Sequence, residues 1–294
     1  MSSKLVHLQV GPYRASVSSH GAELQSFAWN DQDLLWNGDP AWWNRRAPLL
    51  FPVVGSVAEG HIRMGSERFP MPKHGFARDR AWEGVEASPS QALFRLRDDE
   101  GTRVHFPFAF DLTLRFTLDT TGLHMAAKLR NPGSEPLPAQ FGFHPAFRWP
   151  LLEGQARERH DLVFDEPEPG ALRQLAGEFI APDRRPTPVV GNALALRDDL
   201  FASDALIWDP VRSRGLRYGV PGEPRLRVRW EAPSFACWTK PGAPFLCLEP
   251  WQGLADEVGF TGPFQDRPGV LSLAPGASAG WSMSLALEAP EGRP

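Results

Sequence analysis

Residues 112–129, LTLRFTLDTTGLHMAAKL, decide the fold class of this chain. On either side of the polar segment 119–122, apolar side chains occupy every second position and polar ones the positions between them. Such alternation is typical of a β-strand with one buried face, and a short polar segment ending in glycine is typical of a tight turn. The stretch therefore predicts an antiparallel hairpin.

The same alternation recurs along the chain, most clearly in residues 94–97, 226–230 and 281–287. No long stretch has the 3.6-residue period of an amphipathic helix. A chain of 294 residues holds too many such strands for a small barrel. We therefore expect an all-β fold in which two large antiparallel sheets pack against each other.

The segments between these strands are short. Residues 39–44 and 200–204 are candidates for short helical turns, and residues 153–159, 166–170 and 181–188 for surface loops. None has the length or low complexity of a linker, so we interpret residues 1–294 as one domain with few short helices.

Composition excludes several classes of protein. Apolar residues make up 42% of the chain and charged residues 22%, which is typical of a globular protein. The net charge of −4 provides no basic surface for nucleic acid or an anionic membrane. The N-terminal residues MSSKLVH lack the apolar core of a signal peptide, and no apolar run has the length of a membrane span. We expect a cytoplasmic protein with no nucleic-acid or membrane partner.

The two cysteines, Cys237 and Cys247, lie in apolar, strand-like sequence. Without a secretory signal, two reduced thiols in the core are favoured over a disulfide. No Cys-x-x-Cys or His-x₃-His spacing exists, so the sequence predicts no metal site.

Two histidines stand between glycines and large aromatic residues. His74 lies in KHGFAR and His144 in QFGFHPAF, at residues 73–78 and 140–147. In the second segment, a strand would direct both phenylalanines to one face and His144 to the other, beside small residues that leave room for a ligand. Pro145 cannot donate to a sheet, so the strand ends or lies at an edge here. The functional interpretation is favoured for His144, whereas for His74 it competes evenly with a structural one.

Glu249 interrupts the apolar segment FLCLEPWQG, residues 245–253. A carboxylate in such a strand costs several kcal/mol unless it has partners, and burial raises its pKa toward the range that suits a general base. We therefore favour Glu249 over every other carboxylate as a catalytic group.

Other patterns are weaker. The segment GASAG at residues 276–280 matches the Gly-x-Ser-x-Gly pattern of a hydrolase, but an alternating strand follows it where that motif requires a helix. Arg45 and Arg46 precede APLLFPVVG, and either a surface position or a donor at a pocket rim fits them. Some of the 11 tryptophans are candidates for a stacking wall against a sugar. Together, two histidines and one glutamate suit acid/base proton transfer on a neutral substrate.

At these residues the chain resembles the aldose 1-epimerase (mutarotase) family, in its bacterial branch. The resemblance rests on APLLFP, HGFAR, GFHPAF and EPWxG segments, which occur in the family's order between about residues 45 and 256. It implies a β-supersandwich, a cofactor-independent isomerase that interconverts the α and β anomers of an aldose, and a monomer or homodimer.

The resemblance also implies roles for single residues. Glu249 would remove the proton of the anomeric hydroxyl, His144 would protonate the ring oxygen, and His74 would bind and polarise the sugar. It also implies substrate contacts by Asp204 and by Arg45, which is preferred over Arg46. Trp251 is a further candidate for contact with the sugar.

Three alternatives stay open. The same fold could serve as a non-catalytic carbohydrate sensor, or as a hexose-6-phosphate mutarotase if basic residues cluster about the pocket. A glycoside-cleaving enzyme would need a second pocket carboxylate, for which Asp204 and Asp256 are the candidates. Gln252 departs from the small residue or cysteine that often follows the tryptophan in this branch.

Overall fold

A computed structural model describes residues 4–290 as strands joined by short loops. In chain order the first strands are β1 Leu5–Val10, β2 Tyr13–Ser18, β3 Leu24–Trp29, β4 Gln32–Asp33, β5 Leu49–Leu50, β6 His61–Met64, β7 Glu67–Pro70, β8 Glu83–Ala87, β9 Gln91–Arg97, β10 Asp111–Asp119, β11 Gly122–Arg130, β12 Leu137–Ala139 and β13 Phe141–Phe143. They are followed by β14 Ala146–Arg148, β15 Asp161–Phe164, β16 Leu172–Ala176, β17 Phe179–Arg185, β18 Ala193–Ala195, β19 Leu206–Trp208, β20 Gly215–Gly219, β21 Arg225–Glu231, β22 Ser234–Trp238, β23 Phe245–Gln252, β24 Leu271–Leu273 and β25 Ser278–Glu288.

Helical structure is sparse. Residues Glu100–Arg103 form a short α-helix that begins at Asp99, whose side chain accepts the Thr102 N–H. Single 3₁₀ turns span Ala58–Gly60, Ala77–Asp79, Arg157–Arg159, Asp198–Phe201 and Phe264–Asp266. None of the helices formed by residues 4–290 is long and apolar enough to cross a membrane.

Two large antiparallel sheets dominate and confirm the all-β prediction. One has nine strands in the order β18-β15-β20-β21-β25-β11-β10-β9-β8, and the other runs β17-β16-β19-β22-β23-β13-β5, with β14 also paired to β23. Smaller sheets are formed by β1 to β4, by β12 with β24 and by β6 with β7. The hairpin predicted at residues 112–129 is β10 and β11, whose Asp119 pairs with Gly122 across a two-residue turn.

The large sheets bury one common core. Phe141 of the eight-stranded sheet stacks on Trp281 of the nine-stranded sheet, with ring centroids 4.7 Å apart. In β23, Leu246 and Leu248 belong to this core, whereas Phe245 and Trp251 belong to smaller clusters on the opposite face. The eight-stranded sheet is therefore apolar on both faces, and its outer face is available to build a site.

Two local predictions differ in detail from the structure, and a third is confirmed. Residues 181–185, predicted as part of a loop, belong to edge strand β17, where Pro182 needs no neighbour on its free side. The turn at residues 39–44 is a single helical turn in which the N–H groups of Trp42 and Trp43 both donate to the Asp39 carbonyl. The turn predicted at 200–204 begins earlier, at Asp198.

The cysteines confirm the prediction of free thiols. Cys237 and Cys247 are both buried and unpaired. They lie on opposite faces of the eight-stranded sheet, because Cys237 packs in the common core and Cys247 with Trp36 and Phe245 on the outer face.

Candidate active site

A cavity of about 280 Å³ opens on the outer face of the eight-stranded sheet. Strands β19, β22 and β23 form its floor, and loops and the turn between β16 and β17 form its walls. Its lining consists of Trp43, Gly55, Lys73, His74, Arg78, His144, Leu175, Glu178, Ile180, Asp204, Ala205, Ile207, Trp238, Glu249, Trp251 and Ala255. Five of the six predicted site residues are in this set, and Arg45 is not.

Strand register brings Glu249 and His144 together. Gly142 in β13 pairs with Trp251, and Ala146 in β14 pairs with Cys247, so His144 between them falls opposite Glu249. His144 Nε2 and Glu249 Oε2 are 3.0 Å apart. Next to Glu249, the pairing of β23 is interrupted between β13 and β14. Pro250, which follows Glu249 and has no N–H group, therefore loses no hydrogen bond toward these strands.

This pair is buried and incompletely satisfied. The side chain of Glu249 is 1% exposed and that of His144 is 9% exposed. Apart from the contact between Glu249 Oε2 and His144 Nε2, neither Glu249 Oε2 nor His144 Nδ1 has a hydrogen-bond partner among the described residues. Buried polar atoms without partners are costly, so their convergence on one cavity indicates a polar ligand.

The surroundings shift both titrations toward the uncharged forms. Burial raises the pKa of Glu249 well above its ordinary value, repulsion from Asp204 raises it further, and the nearby Trp251 indole opposes the shift. Burial lowers the pKa of His144 from 6.5 to about 3, opposed by its own backbone and assisted by nearby basic side chains. Burial therefore favours one proton on Glu249 and a neutral His144.

His74 reaches the same cavity from a strained loop. It has φ 65°, and Gly75 after it has φ 73°. A Cβ atom on Gly75 would lie 2.1 Å from the Phe51 carbonyl oxygen, so only glycine fits there. The Gly55 N–H donates to His74 Nδ1 at 3.0 Å, which leaves Nε2 as the protonated nitrogen of the neutral ring.

Burial keeps His74 in that neutral form. It lowers the pKa of His74 well below 6.5, and the neighbouring His144 and basic side chains lower it further. The two imidazole rings are 5.7 Å apart and nearly perpendicular. His74 is therefore arranged as a neutral hydrogen-bond donor beside the acid/base pair.

Aromatic rings shape the cavity. Trp43 stacks on His144 with centroids 5.1 Å apart, and Trp238 contacts the same ring edge-on at 6.2 Å. Trp251 forms part of the wall and packs over Gly142, where a Cβ atom would lie 2.7 Å from its ring. Because Gly142 has no side chain, the Trp251 ring can pack directly against it. In this position the ring can stack on an apolar sugar face.

The arginines occupy different positions relative to the cavity. Arg45 donates to Asp79 at 2.8 Å beside the cavity, and Arg46 is turned away, donating to the backbone oxygens of Asn37 and Gln25. The arginine that lines the cavity is Arg78. It ends the HGFAR segment, so the motif contained the signal, although it did not distinguish Arg78 from the other basic residues.

Asp204 and Asp256 lie in different places relative to the cavity. Asp204 is exposed on the cavity wall, with φ 71°, and its charge raises the pKa of Glu249. Asp256 is buried outside the lining, where it contacts Arg267 and accepts the Ala58 N–H at 2.6 Å. Of the two candidates for a second pocket carboxylate, only Asp204 is near Glu249.

The mouth of the cavity carries an ion pair that sequence reasoning missed. Lys73 Nζ lies 2.9 Å from Glu178 Oε1, and the Ser56 hydroxyl donates to Glu178 Oε2 at 3.1 Å. Glu178 comes from the turn between β16 and β17, more than a hundred residues from Lys73. No local pattern links these residues, so only the folded chain brings them together.

One group of potential metal ligands lies in the site, although the sequence contains no metal-binding spacing. One ligand atom each from His144, Cys247 and Glu249 lies within 4.8 Å of the other two. Cys247 and Glu249 are two residues apart on one strand face, and the third ligand, His144, comes from the segment between β13 and β14. A metal ion bound here would occupy the two groups that an acid/base reaction requires.

The sequence is similar to known proteins over most of its length. A sequence model described as Aldose 1-epimerase matches residues 4–285. Protein LacX of Lactococcus lactis is 29% identical over 269 residues, which cover 87% of this chain and 90% of that protein.

Solved structures agree with the fold. A galactose mutarotase related enzyme from Lactobacillus acidophilus superposes with a TM-score of 0.91 at 26% identity, covering 97% of this chain and 98% of its own. A galactose mutarotase-like protein from Lactobacillus casei has a TM-score of 0.90 at 28% identity, with 97% and 100% covered.

Proposed function

Because the chain belongs to the aldose 1-epimerase family, we propose that it interconverts the α and β anomers of an aldose by opening and closing the sugar ring. The observation that carries the proposal is the buried contact between Glu249 and His144, 3.0 Å apart at the floor of the cavity. The anomeric oxygen and the ring oxygen of an aldose are bonded to the same carbon. A base and an acid that act on them together must therefore be neighbours.

Ring opening needs the two groups in their charged forms. The Glu249 carboxylate takes the proton of the anomeric hydroxyl while protonated His144 gives a proton to the ring oxygen, and the bond between C1 and the ring oxygen breaks. Rotation about the C1–C2 bond exposes the other face of the aldehyde. Closure then returns a proton from Glu249 to the new hydroxyl and restores the proton on His144.

Each half-reaction moves the pair between two proton arrangements with the same total charge. Opening consumes the charged arrangement and produces protonated Glu249 with neutral His144. That second arrangement is the one that burial favours, since it raises the pKa of Glu249 and lowers that of His144. The polar groups of a bound sugar offset this preference by giving Glu249 and His144 hydrogen-bond partners.

The remaining residues bind and orient the sugar. His74 donates from Nε2 toward a sugar oxygen, because its Nδ1 is occupied by the Gly55 N–H. Trp251 supplies an apolar face, and Asp204 accepts from hydroxyl groups at the wall. Arg45 acts beside the cavity through its pair with Asp79, and Arg78 is the basic group on the wall itself.

The chemistry consists of proton transfers, so it requires no cofactor. We propose that residues 1–294 act as one domain, which is supported by the nine-stranded sheet, where β25 pairs with both β11 and β21. The names of the similar Lactobacillus proteins make galactose the first substrate to test, with glucose beside it.

The test is an NMR exchange measurement on freshly dissolved α-galactose and α-glucose. The protein should accelerate equilibration, and Glu249→Gln should reduce the acceleration by about 10²–10⁴-fold, the usual contribution of a positioned acid or base. The matched control is Glu257→Gln, which changes a half-exposed glutamate that pairs with Arg173. Saturable sugar binding without acceleration would instead favour the sensor alternative.

A further inference from the structure

The ion pair between Lys73 and Glu178 lies at the mouth of the cavity. We propose that this pair makes the site selective for an uncharged aldose, and that Glu178 is the residue that discriminates against sugars carrying phosphate or carboxylate at the end remote from C1. The inference rests on the proposed function only in assigning the reacting end of the sugar to Glu249.

Both members of the pair are held from opposite sides of the opening. Lys73 precedes His74 in its loop, and Glu178 belongs to the turn between β16 and β17. One oxygen of Glu178 contacts Lys73 Nζ at 2.9 Å, and the other accepts from the Ser56 hydroxyl at 3.1 Å. Ser56 is 5% exposed, so it is a fixed donor that orients the carboxylate.

The neighbouring basic residues would suit an anion if they had no carboxylates beside them. Lys73 and Arg78 line the cavity, and Arg45 lies next to it. Arg45 and Arg78 share Asp79, with N–O distances of 2.8 and 3.7 Å. The charge of Lys73 is compensated by Glu178, so the basic cluster is largely neutralised.

The orientation of the bound sugar decides which of its groups lies next to these charges. With C1 at Glu249 on the floor, the remote end of the sugar extends toward the mouth. A hydroxyl there can accept from Lys73 and donate to Glu178. A phosphate or carboxylate would meet the Glu178 carboxylate at close range and Asp204 on the wall, and like charges a few ångströms apart weaken binding by about tenfold or more.

The test measures binding with probes that cannot react. 1,5-Anhydroglucitol and its 6-phosphate lack the anomeric hydroxyl, so calorimetric affinities report selectivity independently of catalysis. Wild-type protein should bind the neutral probe more tightly than the phosphate. Glu178→Gln should strengthen binding of the phosphate by about tenfold or more and change that of the neutral probe less than threefold.

Two further variants make the result specific. Adding Lys73→Met to Glu178→Gln should cancel the gain in phosphate affinity, because the uncompensated cation is removed. The control is Glu59→Gln, since Glu59 is 59% exposed and pairs with Arg63 much as the 61% exposed Glu178 pairs with Lys73, yet it does not line the cavity. It should leave both affinities unchanged.

Three results would overturn the inference. They are tighter binding of the phosphate by wild-type protein, an unchanged affinity ratio in Glu178→Gln, or no saturable binding of either probe. A shifted ratio in a protein that does not accelerate anomer exchange would refute the proposed function and leave the selectivity intact.

Discussion

Two buried pairs, each of an acidic and a basic side chain, have different surroundings in this protein. Glu249 contacts His144, and Asp256 contacts Arg267, with every side chain less than a tenth exposed. The second oxygen of Asp256 accepts the Ala58 N–H, and Arg267 Nη2 donates to the Leu254 carbonyl at 3.0 Å. Both pairs also contain buried polar atoms without a hydrogen-bond partner among residues 4–290. Glu249 and His144 line the cavity, whereas Asp256 and Arg267 do not.

The difference teaches how to distinguish a structural charge from a catalytic one. Burial, a close contact between an acidic and a basic side chain, and polar atoms without partners are common to both pairs, so none of these features identifies the site. The Asp256 pair ties three loops together through backbone groups. The Glu249 pair instead lines a cavity of about 280 Å³, where a ligand can reach its polar atoms.

Asp256→Asn should have the largest effect on stability. It leaves the Arg267 guanidinium buried without its counter-charge, which costs about 3–5 kcal/mol of unfolding free energy. Urea denaturation should reveal this loss, while anomer exchange per folded molecule stays within about twofold of wild type. Glu249→Gln should do the opposite, with activity lost and stability kept. Loss of activity without loss of stability in Asp256→Asn would remove the distinction between the pairs.

The pH dependence of stability should reveal the proton shared by Glu249 and His144. Between the ordinary pKa values of 4.5 and 6.5, the raised pKa of Glu249 and the lowered pKa of His144 favour one proton on Glu249 in the folded pair, whereas the unfolded chain carries one on His144. Equal proton numbers mean that the pair contributes no slope in this window. Glu249→Gln and His144→Gln should each show a dependence of stability on pH that the wild-type pair does not contribute in this window.

In Glu249→Gln only the lowered pKa of His144 remains, so the unfolded chain binds the extra proton. Stability should then fall as pH decreases from 6.5 toward 3, by at most about 1.4 kcal/mol per pH unit. In His144→Gln the raised pKa of Glu249 remains, and stability should fall as pH rises above 4.5. Urea midpoints at pH 4.5, 5.5 and 6.5, referred to wild type, measure both slopes. Three parallel profiles would contradict a shared proton.

His74→Ala should affect binding and turnover together. It removes the neutral donor beside the pair, so kcat/KM should fall by about ten- to hundredfold, with KM raised and kcat lowered. His144→Ala should lower mainly kcat, because it removes the proton donor. Steady-state exchange rates over a range of sugar concentrations separate the two patterns, with His61→Ala outside the cavity as a control. Identical patterns for His74 and His144 would contradict their unequal roles.

Trp251→Phe should have the smallest effect. Phenylalanine keeps an apolar face but covers less of the sugar, so KM should rise about two- to tenfold while kcat changes little. The same exchange measurements provide both constants. A large decrease in kcat would indicate that Trp251 acts on Glu249 through its indole N–H rather than on the sugar.

Much of the fold was predictable because side chains in strands alternate with a period of two. The hairpin β10–β11 and the strands at residues 94–97, 226–230 and 281–287 follow directly from that alternation. It also placed His144 on the face opposite the core phenylalanines, and it singled out Glu249 as a charge in an apolar strand. Residues 181–185 were missed because an edge strand tolerates the proline that argues against a central one.

The sequence by itself therefore determined the strand faces, the two free cysteines, and which histidines and glutamate stand in unusual surroundings. These are local properties, set by the period of the strand and by the cost of burying charge. Only the tertiary structure decided which residues meet: His144 opposite Glu249, Lys73 with Glu178, Asp256 with Arg267, and Arg78 on the wall. Those contacts depend on strand order and register across distant segments, which long-range packing sets and no local pattern encodes.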